Sequence, residues 1–125
     1  AVRILLVADL QDPNRIMQRL LRRLGYQVTT AASVQQALAK AAVERFDVLV
    51  SDVGLPDGSG LELLRELRRV QPLAAIALSG FAMDDDIERS RQAGFDVHMA
   101  KPIDFKQLEQ ILRGLSKPAP ALDLP

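Results

Sequence analysis

The chain contains no cysteine and a single histidine, His98, among its 125 residues. Disulfide frameworks and thiolate or His-rich zinc sites are therefore excluded. Sixteen basic and sixteen acidic residues cancel, so the chain lacks the net positive charge that is typical of direct nucleic-acid binding. The longest apolar runs, such as Ile4 to Ala8, are far too short to cross a bilayer. We therefore expect a cytoplasmic domain without direct contact to nucleic acid or membrane, whose chemistry rests on carboxylates, hydroxyls and lysines.

Five short apolar segments alternate with five helical patterns. The predicted strands cover residues 3–7, 26–31, 46–51, 74–79 and 97–100. The first, third and fourth are nearly continuous apolar runs, which are typical of central parallel strands. Strict alternation predicts an α/β fold in which five helices cover a doubly wound, five-stranded parallel sheet of flavodoxin-like order 2-1-3-4-5.

Capping residues mark most ends of the predicted helices. Asp12 and Pro13 begin the first helix and Gly25 ends it, Ser33 caps the second, Gly60 opens the third, the fourth runs from about Asp84 to Gly94, and Asp104 caps the fifth. We expect one domain over residues 1–115, followed by a proline-containing tail or linker over residues 116–125.

Polar residues follow four of the predicted strands, at the edge where open parallel sheets build their sites. They are Asp9, Asp52, Ser79 and Lys101. Two carboxylates brought together repel each other unless a cation lies between them, and an oxygen-rich pocket suits Mg²⁺. A metal, a hydroxyl and a lysine around a carboxylate form a site for phosphoryl transfer, with Asp52 as the nucleophile.

Residues 47–60, which read DVLVSDVGLPDGSG, resemble the phosphoacceptor loop of response-regulator receiver domains of two-component signalling. The pair Lys101-Pro102 resembles the lysine and cis proline that follow their last strand. The resemblance runs from Val2 to about Leu115 and implies a CheY-like fold. The amino-acid sequence of the loop resembles that of receivers at the C-terminus of hybrid sensor histidine kinases.

For individual residues the resemblance implies a complete phosphoacceptor site. Asp52 is the phosphoacceptor, Asp9, Asp52 and the backbone carbonyl of Gly54 bind Mg²⁺, Ser79 is the switch hydroxyl, Lys101 binds the phosphoryl group, and Pro102 is cis. The phosphoryl donor is the phosphohistidine of a histidine kinase or a histidine phosphotransfer domain, and a homodimer is possible. Such a domain catalyses only its own phosphorylation and dephosphorylation, and is not otherwise an enzyme.

Two positions depart from the family pattern. Ala8 stands where most receivers carry a second acid beside Asp9, and His98 stands where an aromatic side chain usually takes part in the switch. Two alternatives therefore stay open: a degenerate pseudo-receiver that only binds other proteins, and a hydrolase, although Gly54 stands where a hydrolase would carry its second acid. The four arginines of the first predicted helix are either a solvated face or a docking surface: Arg15, Arg19, Arg22 and Arg23.

Overall fold

The computed structural model describes residues 2–8, 12–79, 84–100 and 103–116. Within these ranges there are seven strands and five helices. The strands are β1 (Arg3–Val7), β2 (Gln27–Ala31), β3 (Val48–Asp52), β4 (Gly54–Leu55), β5 (Gly58–Ser59), β6 (Ala74–Ser79) and β7 (Val97–Ala100). The helices are α1 (Asp12–Arg23), α2 (Val34–Ala41), α3 (Gly60–Val70), α4 (Asp84–Ala93) and α5 (Phe105–Ser116).

Five parallel strands form the main sheet, in the order β2-β1-β3-β6-β7. This is the predicted order 2-1-3-4-5 when only the strands of that sheet are counted, so the predicted fold is confirmed. The remaining strands, β4 and β5, pair antiparallel in a small hairpin directly after β3. This hairpin was not among the elements predicted from the sequence.

Two apolar layers cover the two faces of the sheet. Successive strand residues point to opposite faces, so Leu5 of β1 packs in the layer of α2 and α3, whereas Ile4 and Leu6 pack in the layer of α1 and α5. The helices contribute residues at helical spacing, such as Leu64 in the first layer and Leu108 in the second. The doubly wound arrangement is therefore confirmed, and none of the helices in the described ranges has the length and apolar character needed to cross a membrane.

The third strand begins at Val48, two residues later than predicted, and buried Gln71 binds the segment that precedes it. Its Oε1 accepts a hydrogen bond from the backbone N–H of Phe46 at 2.8 Å. Its Nε2 donates to the carbonyls of Ala41 and Glu44, each at 3.1 Å. The side chain thus ties the end of α2 and the approach to β3 to the end of α3.

The capping residues predicted at three helix ends are confirmed. Gly25 ends α1 with a left-handed φ of 97°, the conformation that glycine adopts without strain. Ser33 Oγ accepts from the Gln36 N–H at 3.1 Å at the start of α2. Asp104 caps α5, which ends at Ser116, one residue beyond the predicted domain limit. The predicted tail beyond it lies outside the described residues.

Candidate functional site

Asp52 is the last residue of β3 and lies at the carboxyl end of the sheet. Its side chain is only 6% exposed, and its Oδ1 atom is buried. Residues 48–50 before it are fully buried and apolar, which fixes β3 in the middle of the sheet. The sequence therefore brings a carboxylate to the point between β1 and β3 at which the strand order reverses, where ligands bind in sheets of this kind.

Ser79 ends the neighbouring strand β6. Asp52 pairs with Leu78, so Ser79 lies one residue beyond the level of Asp52 at the same edge. Ser79 Oγ is 2.8 Å from Nε2 of His98 on β7, and the two side chains form a hydrogen bond whose direction depends on the imidazole tautomer. The structure thus joins the two predicted switch residues directly.

Ala8 follows β1 at the level of Asp52, since Val7 pairs with Ser51. It is 2% exposed, and its N–H donates to the Ala31 carbonyl at 3.0 Å. The position at which the resemblance leads one to expect a second acid is therefore a buried methyl group, which supplies no ligand to a cation.

The hairpin after Asp52 is closed at its base by backbone hydrogen bonds. The Val53 N–H donates to the Leu78 carbonyl at 2.9 Å, and the Gly60 N–H donates to the Val53 carbonyl at 2.8 Å. Gly60 also begins α3 against the backbone of Asp52: a Cβ on Gly60 would lie far inside van der Waals distance of the Asp52 carbonyl oxygen. Only glycine permits this close approach.

The tip of the hairpin is attached to α2 by Asp57. Its Oδ1 accepts from the Val34 N–H at 2.7 Å and its Oδ2 accepts from the Gln35 N–H at 3.0 Å. The hydrogen bond from Gln35, followed by the one from Val34, lowers the pKa of the Asp57 carboxyl below its usual value. Both oxygens of Asp57 are thus engaged with the first turn of α2.

Three predicted site residues lie outside the described residues: Asp9, Lys101 and Pro102. Of the remaining predicted set, the structure brings Asp52, Ser79 and His98 to one edge of the sheet, with Gly54 two residues beyond Asp52. Among the described residues, no three His, Cys, Asp or Glu side chains form a metal-binding group. Of the predicted Mg²⁺ ligands, Asp52 is the one side chain within the described residues. Asp9 lies outside them, and Gly54 would contribute its backbone carbonyl.

Three arginines of α1 line a groove. Its walls include Ile16, which is 56% exposed, Leu20, and the arginines 19, 22 and 23. Arg22 is held by a hydrogen bond from its guanidinium to the Val28 carbonyl at 3.0 Å. An exposed apolar side chain beside several arginines suits a partner surface that is acidic and partly apolar.

Sequence reasoning missed two residues that organise the loop. Ser59 Oγ accepts from the N–H groups of Leu61 and Glu62, at 3.1 and 3.2 Å, and so caps α3. The pattern Ser59-Gly-Leu-Glu62 is a capping-box signature and could have revealed this role. No local signal identifies Asp57 as a cap, because its partners lie more than twenty residues upstream.

The chain is similar to known proteins over most of its length. The family model of the response regulator receiver domain matches residues 4–113. The KDP operon transcriptional regulatory protein KdpE of Escherichia coli K12 is 34% identical over 110 residues, which cover 88% of this chain and 49% of KdpE. The sensor protein EvgS of the same organism is 32% identical over 117 residues, which cover 92% of this chain and 10% of EvgS.

One solved structure is also similar to this chain, both in sequence and in fold. The receiver domain of the sensor histidine kinase PA1611 from Pseudomonas aeruginosa PAO1, crystallised with a magnesium ion in its active site cleft, is 34% identical. The two structures superpose with a TM-score of 0.79 over 94% of this chain and 99% of that one. The chain thus spans about half the length of KdpE, at 49%, and a small part of EvgS, at 10%. Because the matched residues include both layers of the sheet and the edge that carries Asp52 and Ser79, the chain belongs to the response regulator receiver domain family.

Proposed function

We propose that this domain accepts a phosphoryl group on Asp52 from a phosphohistidine and changes conformation in response. The observation that carries the proposal is the buried carboxylate of Asp52 at the end of β3. In the proposed reaction, a carboxylate oxygen of Asp52 attacks phosphorus while the bond between phosphorus and the imidazole nitrogen breaks. The nitrogen keeps the electron pair of that bond and, because the other ring nitrogen carries a proton, neutral imidazole remains on the donor. Water later hydrolyses the acyl phosphate, which releases inorganic phosphate and restores the Asp52 carboxylate.

The described residues fit a magnesium ion. The buried Oδ1 of Asp52 and the exposed backbone at Gly54 offer hard oxygen ligands, which suit Mg²⁺. We infer that Asp9 would complete the set. When bound, the ion neutralises negative charge on the transferring group. The hydrogen bond from the Gly60 N–H to the Val53 carbonyl holds the chain between Asp52 and Gly54 against the start of α3.

The remaining site residues have separate proposed roles. Lys101 would contact the phosphoryl oxygens with its ammonium group, and Pro102 would hold the following backbone in the cis form. On the proposal that Ser79 donates to Nε2 of His98 before phosphorylation, its donation to a phosphoryl oxygen would require that hydrogen bond to break or reverse. A change at Asp52 would thereby reach β7, which is how we expect the switch to begin.

The proposed partner is a histidine kinase or a histidine phosphotransfer domain. The groove on α1 supports this proposal, since exposed Ile16 and the arginines around it suit a helix with an apolar stripe and flanking carboxylates. As in the sensor relatives, we propose that the parent chain is a hybrid histidine kinase with this domain in the cytoplasm. This domain would then act on no substrate other than its own phosphoryl group.

The test is incorporation of a phosphoryl group from a small phosphodonor in the presence of Mg²⁺, measured by intact-protein mass. Wild type should gain one phosphoryl mass, and Asp52→Asn should gain none. Asp47→Asn is the matched control, because Asp47 is an exposed aspartate at the other end of β3 and should leave incorporation unchanged. Labelling of Asp52→Asn would overturn the assignment.

The buried methyl group of Ala8 favours one competing function, a pseudo-receiver that binds partners without phosphorylation. Loss of a carboxylate near the metal weakens cation binding. A wild-type domain that neither binds Mg²⁺ at millimolar concentration nor gains phosphoryl mass would establish this alternative.

A further inference from the structure

Asp57 occupies an unusual place between the phosphoacceptor loop and a distant helix. It lies at the turn of the β4–β5 hairpin, in which Leu55 pairs with Gly58. As an exposed aspartate in a turn it would ordinarily bond its own loop. Its two oxygens accept hydrogen bonds from the N–H groups of Val34 and Gln35 in α2.

The contact satisfies helix amides that the helix itself cannot satisfy. The first N–H groups of an α-helix have no partner within the helix. In α2 the Ser33 hydroxyl serves only the third of these amides, that of Gln36. Asp57 serves the first two, and its negative charge lies where the helix dipole is positive. Asp57 therefore attaches the hairpin tip to α2 and supplies two capping hydrogen bonds at the start of that helix, beside the one from Ser33.

Packing supports the anchor. A Cβ on Gly58 would come within 3.3 Å of Cγ2 of Val34, so the hairpin lies close against the first turn of α2. The base of the hairpin is held by the hydrogen bond between Gly60 and Val53. Gly54 lies between these two attachments, with nothing within 4 Å of the place where a Cβ would stand.

We infer that Asp57 is a positioning residue for the phosphoacceptor loop: its bonds to α2 fix the hairpin tip and thereby the direction of the Gly54 carbonyl. This inference rests on the proposed function only where it concerns the metal. At the proposed metal site, Asp57 raises the affinity for Mg²⁺ without being a ligand, because both of its oxygens face α2.

The test compares Asp57→Ala with Ser33→Ala. Both variants remove capping bonds from the same end of α2, but only the first releases the hairpin. Backbone amide exchange followed by NMR should show faster exchange over residues 54–59 in Asp57→Ala and little change there in Ser33→Ala. Equal exchange of the hairpin in the two variants would overturn the inference, whether or not the domain binds a metal.

Magnesium affinity, measured by calorimetry with MgCl₂, is the second readout. We expect Asp57→Ala to bind Mg²⁺ about tenfold more weakly, a loss of the size seen for outer-shell partners, and Ser33→Ala to bind within about twofold of wild type. Asp57→Glu should recover part of the affinity because it keeps the charge. Wild type that binds no Mg²⁺ would defeat the proposed metal site alone, whereas wild-type affinity in Asp57→Ala would defeat the inference alone.

Discussion

Ser79 Oγ and His98 Nε2 lie 2.8 Å apart across the β6–β7 pair. A hydroxyl has one hydrogen to donate, so the tautomer of His98 decides whether Ser79 donates to the ring or accepts from it. A hydrogen bond between two side chains therefore links β7 to the strand end that carries Ser79.

The first prediction concerns this bond. In ¹⁵N-labelled protein, Ser79→Ala should shift the Nε2 resonance of His98 more than the Nδ1 resonance and lower the free energy of unfolding by about 1 kcal/mol, the usual net value of a hydrogen bond. Adding beryllofluoride with Mg²⁺ to wild type should move Nε2 towards its Ser79→Ala value, because the hydroxyl then donates to the phosphoryl mimic. Asp52→Asn should abolish that response, and an unmoved Nε2 in wild type would contradict the proposed switch.

A second prediction concerns the buried methyl group of Ala8. Ala8→Asp should tighten Mg²⁺ binding about tenfold and speed phosphorylation, and should lower the melting temperature without metal because the added carboxylate repels the charge of Asp52. Ala8→Asn, of similar size and no charge, is the control. Unchanged Mg²⁺ affinity in Ala8→Asp would mean that another acid already replaces the missing carboxylate. Asp57 is a poor candidate for that acid, because both of its oxygens are bonded to α2.

A third prediction compares two glycines. Gly60→Ala would force a methyl group against the carbonyl of Asp52 and to 2.9 Å from the Ser51 hydroxyl, so it should lower the free energy of unfolding by about 1–3 kcal/mol, as overpacking does, and disturb phosphorylation. Gly114 lies in α5 with nothing within 4 Å of the place that a methyl group would occupy. Gly114→Ala should therefore raise the free energy of unfolding by about 0.5–1 kcal/mol. Chemical denaturation measures both, and equal effects would contradict the close approach at Gly60.

The lowered pKa of Asp57 gives a fourth prediction, on pH. A carboxyl whose pKa is lower in the folded state than in the unfolded state stabilises the fold above its unfolded value, about pH 4. That contribution disappears as the pH falls through the folded pKa. The difference in stability between wild type and Asp57→Asn should therefore be full at neutral pH and shrink below about pH 4. A difference that stays constant down to about pH 2, below the ordinary range of an aspartate pKa, would show that the charge of Asp57 does not stabilise α2.

The sheet could be predicted from the sequence because its signals are local and repeated. The apolar runs of β1, β3 and β6 and the capping residues Gly25 and Ser33 each act within a few positions, and they agree with one another. The order of the strands then follows from the few topologies that right-handed crossovers allow. The edge that carries Asp52 and Ser79 could be predicted for the same reason.

The parts that could not be predicted depend on contacts between distant segments. Gln71 binds the end of α2 and the approach to β3 at residues 25–30 positions away, and Asp57 caps a helix that precedes it by more than twenty residues. Neither side chain has a pattern that distinguishes it from an ordinary surface residue. The bond between Ser79 and His98 likewise depends on the pairing of β6 with β7 and on the orientation of the ring.

The central position of β3 also affects how a newly made chain behaves. Its residues Val48 to Val50 are completely buried in the finished sheet, between β1 on one side and β6 on the other. Until residues 74–79 have left the ribosome, one edge of β3 has no neighbour, and an apolar strand with open hydrogen-bonding groups invites addition of a strand from another chain. Aggregation during synthesis is therefore most favoured between the appearance of β3 and that of β6, the interval in which a chaperone would protect this domain most.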